Sequence, residues 1–366
     1  AIAYSFIGTI WSVYIKSFVG TDSNVGFVVS FLTVVSFLSY IFSVPLIEKC
    51  NKSMTFKMIT LLLGVFYFVL ALNKSFYGFL GLAILVTVLA TIRISLFGII
   101  VKEKSSKKDL SKNEGLVYTF LNMAWLIGPI IAGFIAVMFG DSYVFISASL
   151  LFFLTFLLFQ ISGITENIHM TKSDKNIFRN ALNFFKQKDR TLAYILGGGV
   201  NFWWLLIYTF MPLFIIESGL GKQYIGYFLF AITIPLIFLE YPLAKLVRKV
   251  GYKPLFKLGY CISGVLAISC FFVSNIYIIF GLLALSSIGL AMIEPTTDAY
   301  FLRLMNNKQE LKYYEIYNTG IDLNALLAAL ISSTLLLILP FKFLFLFFGS
   351  FMLFFLLLSF KVRDIK

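Results

Sequence analysis

The stretch 25-VGFVVSFLTVVSFLSYIFSVPLIEKCNKSMTFK-57 lies without a gap on 225-IGYFLFAITIPLIFLEYPLAKLVRKVGYKPLFK-257. At this offset of 200 residues Gly26 meets Gly226, Thr33 meets Thr233, Lys49 meets Lys249, and Phe56-Lys57 meets Phe256-Lys257. The register holds onward through Gly64/Gly264, Tyr77/Tyr277, Gly81-Leu82/Gly281-Leu282 and Thr119/Thr319. Apolar coincidences mean little in a chain this hydrophobic. Glycines, threonines and a basic loop kept in phase over about 100 residues mean more, and the chain reads as two copies of one unit.

Each copy consists of apolar runs of about 20 residues, the length that crosses a hydrocarbon core of roughly 30 Å. The 366 residues are 60% hydrophobic and 13% charged, with a mean hydropathy of +0.93, whereas an ordinary soluble domain carries about 25% charged residues. The chain is therefore an all-α polytopic membrane protein. Twelve spans are read at 1–18, 25–47, 58–73, 76–101, 115–138, 143–164, 191–216, 224–246, 255–273, 276–302, 314–338 and 341–360.

A net charge of +13 would suit a nucleic-acid partner, but its distribution excludes one. The segments 48–57, 102–114, 165–190, 245–257 and 303–313 and the tail after 360 hold 25 of the 30 Lys and Arg. The opposite side holds only Lys16, Lys74, Lys222 and Lys342, and Arg93 lies inside a span. This is the positive-inside pattern, so both termini and the long central loop are expected in the cytoplasm of a multi-pass cell-membrane protein. Cys50, Cys261 and Cys270 have no metal or redox spacing, and the single histidine, His169, stands in the central loop. No metal site, cofactor, nucleotide loop or nucleophile–base pair is read, which disfavours enzymatic chemistry and ATP-driven transport.

The repeat divides the chain into an N-terminal unit at 1–164, a linker at 165–190 and a C-terminal unit at 191–366. Ala1 aligns with Asn201, about ten residues into the seventh span, so the first helix is expected to be clipped. In the linker, Ile177, Phe178, Ala181, Leu182, Phe184 and Phe185 share a helical face beside basic residues. That pattern predicts an amphipathic helix at the membrane surface.

Twelve spans as six plus six, internal termini and a long central loop resemble the major facilitator superfamily of secondary transporters. The loop 44-VPLIEKCNKS-53 is similar to the family's signature between its second and third helices through Glu48, Lys49 and Lys52, although Val44 and Asn51 replace its glycines. The second copy, 244-AKLVRKVGYK-253, keeps Gly251 and bases including Lys249 but has Arg248 where the acid would stand. The segment 128-GPIIAG-133 looks like the family's glycine–proline motif, without the antiporter glycine, Ala124 standing there instead. The resemblance covers the whole chain and implies twelve transmembrane helices in two pseudo-symmetric six-helix bundles. It implies a monomer that moves a small molecule by alternating access. Glu48, with Lys49, Lys52, Arg248 and Lys249, would form a conformational latch acting near Tyr314, and Gly128-Pro129 would kink the fifth helix.

Ionisable side chains inside spans are expensive and therefore functional candidates by default. They are Arg93, Glu240, Glu294, Asp298 and Asp322. Glu294 and Asp298 are four apart and share one face of the tenth span. Two carboxylates so close resist ionising together, which suits a group that loads and releases a proton. Position 93 maps to 293, so the resemblance implies that Arg93 and Glu294 face a common cavity and couple through a pair made in one state and broken in another. Leu89 matches part of a family motif ending at Arg93, but Leu96 and a late Gly98 depart from the antiporter form. Asp322 aligns with Asn122, and Glu240 is expected to snorkel or to pair with Lys245 or Arg303.

The seventh span carries 197-GGGVNFWWLLIYTF-210. Its three glycines are expected to loosen or break the helix. Asn201, Trp203, Trp204 and Tyr208, with Tyr4 and Trp11 in the first span, are expected to line a cavity for an organic solute. The sequence thus points to a secondary transporter driven by protons. The alternative is a non-transporting receptor or assembly partner on the same scaffold, while a channel would need a filter-like polar loop that is absent from the sequence.

Overall fold

The structure, a computed structural model, describes residues 1–105, 110–164, 177–305 and 307–363, and among these no residue is in a strand. The first six helices are α1 (Ile2–Val19), α2 (Asp22–Lys49), α3 (Lys52–Leu72), α4 (Phe76–Lys104), α5 (Leu110–Met138) and α6 (Asp141–Ile161). A short helix α7 (Ile177–Phe185) follows. The seventh span comprises α8 (Lys188–Leu205), a π-helical turn at Leu206–Phe210 and α9 (Met211–Glu217). The last five are α10 (Gln223–Val250), α11 (Tyr252–Phe271), α12 (Ile276–Arg303), α13 (Asn307–Ile338) and α14 (Lys342–Ser359). Among the described residues, twelve helical spans are long and apolar enough to cross a membrane.

Helix ends follow local chemistry more closely than hydropathy. The third helix begins six residues before the apolar run because the Asn51 side chain accepts a hydrogen bond from the Met54 N–H at 2.8 Å, capping the first turn. Asn275 caps α12 in the same way through the Tyr277 N–H at 2.9 Å.

The chain forms two compact units. In the first, α3 packs against α4 and α6, and α1 against α5 and α6. In the second, α11 packs against α12 and α14, and α8 against α13 and α14. The pairings match element for element, as a duplicated unit requires.

The units also exchange the starts of two helices. Thr21–Ser30, which leads into α2, belongs to the second unit, and Leu220–Tyr227, which leads into α10, to the first. Gly26 packs on Ser333 of α13, and Ser23 Oγ donates to the Ser333 carbonyl at 2.7 Å. Gly226 lies on the backbone of Pro129 and Ile130 in α5. The repeat-mated glycines 26 and 226 thus do the same work, letting a helix start approach its neighbour where a Cβ would collide. Lys222 adds an ion pair in the first unit, its Nζ lying 2.6 and 2.7 Å from the two Asp141 carboxylate oxygens at the start of α6.

The linker helix α7 is anchored chiefly by Phe184, with Phe185 against Tyr194 and Arg190 donating to the Asn183 carbonyl at 3.1 Å. Phe184 is fully buried against Tyr194, Phe301 and Tyr313, while Leu182 and Phe185 are exposed. The side chains of Ile177 and Phe178 lie outside the described residues.

Candidate functional site

Within the first unit, Arg93 projects from α4 into an aromatic nest. Its Nε donates to Thr60 Oγ1 of α3 at 3.0 Å, and its guanidinium carbon lies 4.8 Å from the Phe56 ring centroid. Tyr4 of α1 and Phe152 of α6 each stand 5.6 Å away. Attraction between the cation and three π-faces replaces part of the hydration lost on entering the bundle. No carboxylate of the same unit lies within ion-pair distance among the described residues.

Within the second unit, α12 carries the acidic counterpart. Glu294 Oε1 accepts a hydrogen bond from the Trp204 indole N–H of α8 at 3.1 Å. Its other oxygen, Oε2, is sealed from solvent and has no hydrogen-bond partner among the described residues. Pro295 follows directly, and because proline has no N–H it leaves one helical carbonyl a turn back without its ladder donor. Asp298, one turn further and exposed, accepts from the Tyr317 hydroxyl of α13 at 3.0 Å. The Tyr317 ring stacks on Phe301 at 4.0 Å. Glu240 lies within electrostatic reach of Glu294. Glu240 forms no ion pair among the described residues, and Lys245, one of its expected partners, lies instead over the Tyr241 ring at 4.2 Å.

The repeat gives these details a common plan. Tyr4 and Trp204 are repeat mates, and Glu294 stands one residue beyond Ile293, the mate of Arg93. In each unit, therefore, an aromatic residue of the first helix holds an ionisable group of the fourth. The group is a cation in one unit and an acid in the other.

The seventh span corrects two expectations. Its glycines do not break it, since α8 runs through Gly197, Gly198 and Gly199 without interruption. They are there for packing: a Cβ would stand 2.8 Å from the Tyr317 hydroxyl at Gly197, 2.5 Å from the Asn324 amide at Gly198 and 2.7 Å from the Tyr260 ring at Gly199. The departure from α geometry comes later, at the π-turn Leu206–Phe210, which carries Tyr208. Such turns recur at functional sites. Trp203, expected to line a cavity, is fully buried, because adjacent residues on a helix point about 100° apart and only one of the two indoles meets the open face. Asn201, Trp204 and Tyr208 form that face, all half-buried, with the Trp204 and Tyr208 rings stacked at 5.3 Å.

The remaining candidates are more dispersed. Tyr4 and Trp11 lie on the half-buried stripe of α1, Trp11 packing on Tyr14, Phe79 and Phe145. Asn122 is exposed on α5, and Asp322 is half-buried on α13 within electrostatic reach of Tyr194. Gly128 admits Ser5 of α1, and Pro129 sits inside an α5 that continues to Met138. Lys52 is buried and Lys249 exposed. The side chains of Glu48, Lys49 and Arg248 lie outside the described residues. Sequence reasoning missed Thr60 and Tyr317, which hold Arg93 and Asp298. Their only signal was a hydroxyl in an apolar run.

A duplicated bundle of twelve membrane-length helices, with ionisable groups held inside its spans, is the architecture of a secondary transporter. The family model for the Major Facilitator Superfamily matches residues 1–238 and 202–366, and the chain belongs to that superfamily. Among solved structures, a POT family transporter in complex with 5-aminolevulinic acid is similar with a TM-score of 0.81 at 11% identity, over 98% of this chain and 93% of that one. The nucleoside transporter NupG gives 0.75 at 13% identity, over 100% and 96%. A bacterial homologue of the iron transporter ferroportin, in an inward-facing state, gives 0.72 at 15%, over 98% and 95%. At these identities the likeness is one of fold. No match is found among curated proteins.

Proposed function

We propose that this secondary transporter is proton-coupled and moves a small organic solute across the cell membrane by alternating access, with both termini in the cytoplasm. The observation that carries the proton is Glu294, whose Oε2 is sealed inside a span without a hydrogen-bond partner among the described residues. A buried, half-satisfied carboxylate costs several kcal/mol when ionised and far less when protonated. Protonation therefore favours the sealed conformation, and opening to water favours release. Asp298, Asp322 and Arg93 are the other coupling candidates, and Glu48 the latch. Asn201, Trp204, Tyr208, Tyr4 and Trp11 supply aromatic and polar surface for the solute. Two structural neighbours, a POT family transporter in complex with 5-aminolevulinic acid and a nucleoside transporter, support a small organic substrate.

The test is a thermal-stability screen of the purified protein against sugars, amino acids, organic acids, nucleosides and organic cations at two pH values. A ligand that binds the folded state raises Tm saturably, by RT ln(1 + [L]/Kd) in free energy. The expected result is a saturable rise with one class whose pH dependence disappears in Glu294→Gln. A rise with the same pH dependence in wild type and variant would remove Glu294 from the coupling.

A further inference from the structure

Three features of the second unit converge on one point. Glu294 offers an oxygen that no side chain claims, and no basic group lies within ion-pair distance of it among the described residues. The indole that bonds its other oxygen stacks on Tyr208, and both rings lie on the half-buried stripe of the seventh span. Asp298, whose carboxylate is held by Tyr317, and Glu240 add negative charge from the same unit. A carboxylate beside two stacked electron-rich rings is the chemistry that recognises an organic ammonium: the carboxylate supplies a charge-assisted hydrogen bond, and the rings supply cation–π attraction. A metal ion would require converging hard or imidazole donors, and no group of three His, Cys, Asp or Glu side chains is so arranged among the described residues.

We propose that Glu294, Trp204 and Tyr208 form a binding site for the ammonium head of an organic amine. This deepens the transport reading, because it gives the solute a chemical class, and it rests on Glu294 being a working group of the cycle. In the conformation described, Trp204 covers the carboxylate. When the site opens, the ammonium bonds Oε2, the oxygen that no side chain claims, and lies against the stacked Trp204 and Tyr208 rings.

The test uses the full-length protein in detergent at one fixed pH, with phenethylammonium and tetramethylammonium as probes. 2-Phenylethanol serves as the neutral isostere and phenylacetate as the anion. Binding is read by titration calorimetry and by quenching of tryptophan fluorescence. Phenethylammonium is expected to bind more tightly than the alcohol, and its Kd to rise about tenfold or more in Glu294→Gln. Trp204→Leu is expected to weaken both ammonium ions several-fold while leaving the alcohol nearly unchanged. Melting curves of the unliganded variants confirm folding, and the glutamine retains the carboxylate's shape.

Equal affinity for amine and alcohol, unchanged Kd in both variants, no saturable binding of either cation, or displacement of the probes by a divalent metal would each overturn the proposal. Failure here is separable from failure of the transport reading. Proton flux driven by a non-cationic solute and dependent on Glu294 would remove the ammonium site and leave coupling intact. Ammonium binding through Glu294 without any coupled flux would do the reverse.

Discussion

Arg93 and Glu294 show how a single ionisable residue is made tolerable inside a span. Neither is neutralised by an opposite charge from its own unit among the described residues; each is held by one hydrogen bond and by aromatic rings. For Arg93 the geometry is specific to guanidinium, because Nε reaches Thr60 while the plane lies among three rings. Lysine keeps the charge but has no Nε donor and no plane to stack. Arg93→Lys is therefore expected to fold normally and to transport about tenfold more slowly, the equivalent of one charged hydrogen bond. Retention of the wild-type rate would show that charge alone matters there. The sequence marked the ionisable residues, since any charge in an apolar run stands out. It could not show Thr60, 33 positions from Arg93, or Tyr317, 19 from Asp298, because hydroxyls in spans are common and usually bond back to their own helix.

The position of Glu294 depends on how α12 is seated. Gly259 of α11 and Gly289 of α12 face each other, a Cβ on either falling 2.7 or 2.5 Å from the other's carbonyl oxygen. Ile293, next to Glu294, packs on Gly259. Gly264 and Gly349 join α11 to α14 in the same manner. Gly289→Ala is expected to force these backbones apart, at a cost of about 1–3 kcal/mol, lowering Tm and displacing Glu294. Gly281→Ala, where nothing lies within 4 Å, is the control and is expected to be neutral or slightly stabilising. A Gly289→Ala protein that melts like wild type would show that the contact yields freely. Helix number and type were legible because apolar runs of membrane length have few alternatives. The role of glycine was not: Gly197, Gly198 and Gly199 read as breakers, whereas in a membrane bundle a missing side chain more often marks where two helices touch.

At the scale of the whole molecule, the repeat was readable, because duplication leaves its mark along the entire chain. The exchange of Thr21–Ser30 and Leu220–Tyr227 between units was not, since it depends on which neighbour a helix start meets. The predicted orientation places Cys50 in the cytoplasm and Lys74 outside. In intact cells a membrane-impermeant thiol reagent is expected to label Lys74→Cys, in a background without native cysteines, and to spare Cys50 in the unaltered chain until the membrane is opened. The reverse pattern would invert the topology.

The most direct measurement is proton flux in proteoliposomes, read with a trapped pH dye while the solute identified by thermal screening is supplied down its gradient. Proton coupling through Glu294 predicts a solute-dependent pH change with wild-type protein. It predicts none with Glu294→Gln, even though the variant still exchanges labelled solute. Solute movement without any pH change, or an equal change in the variant, would contradict it.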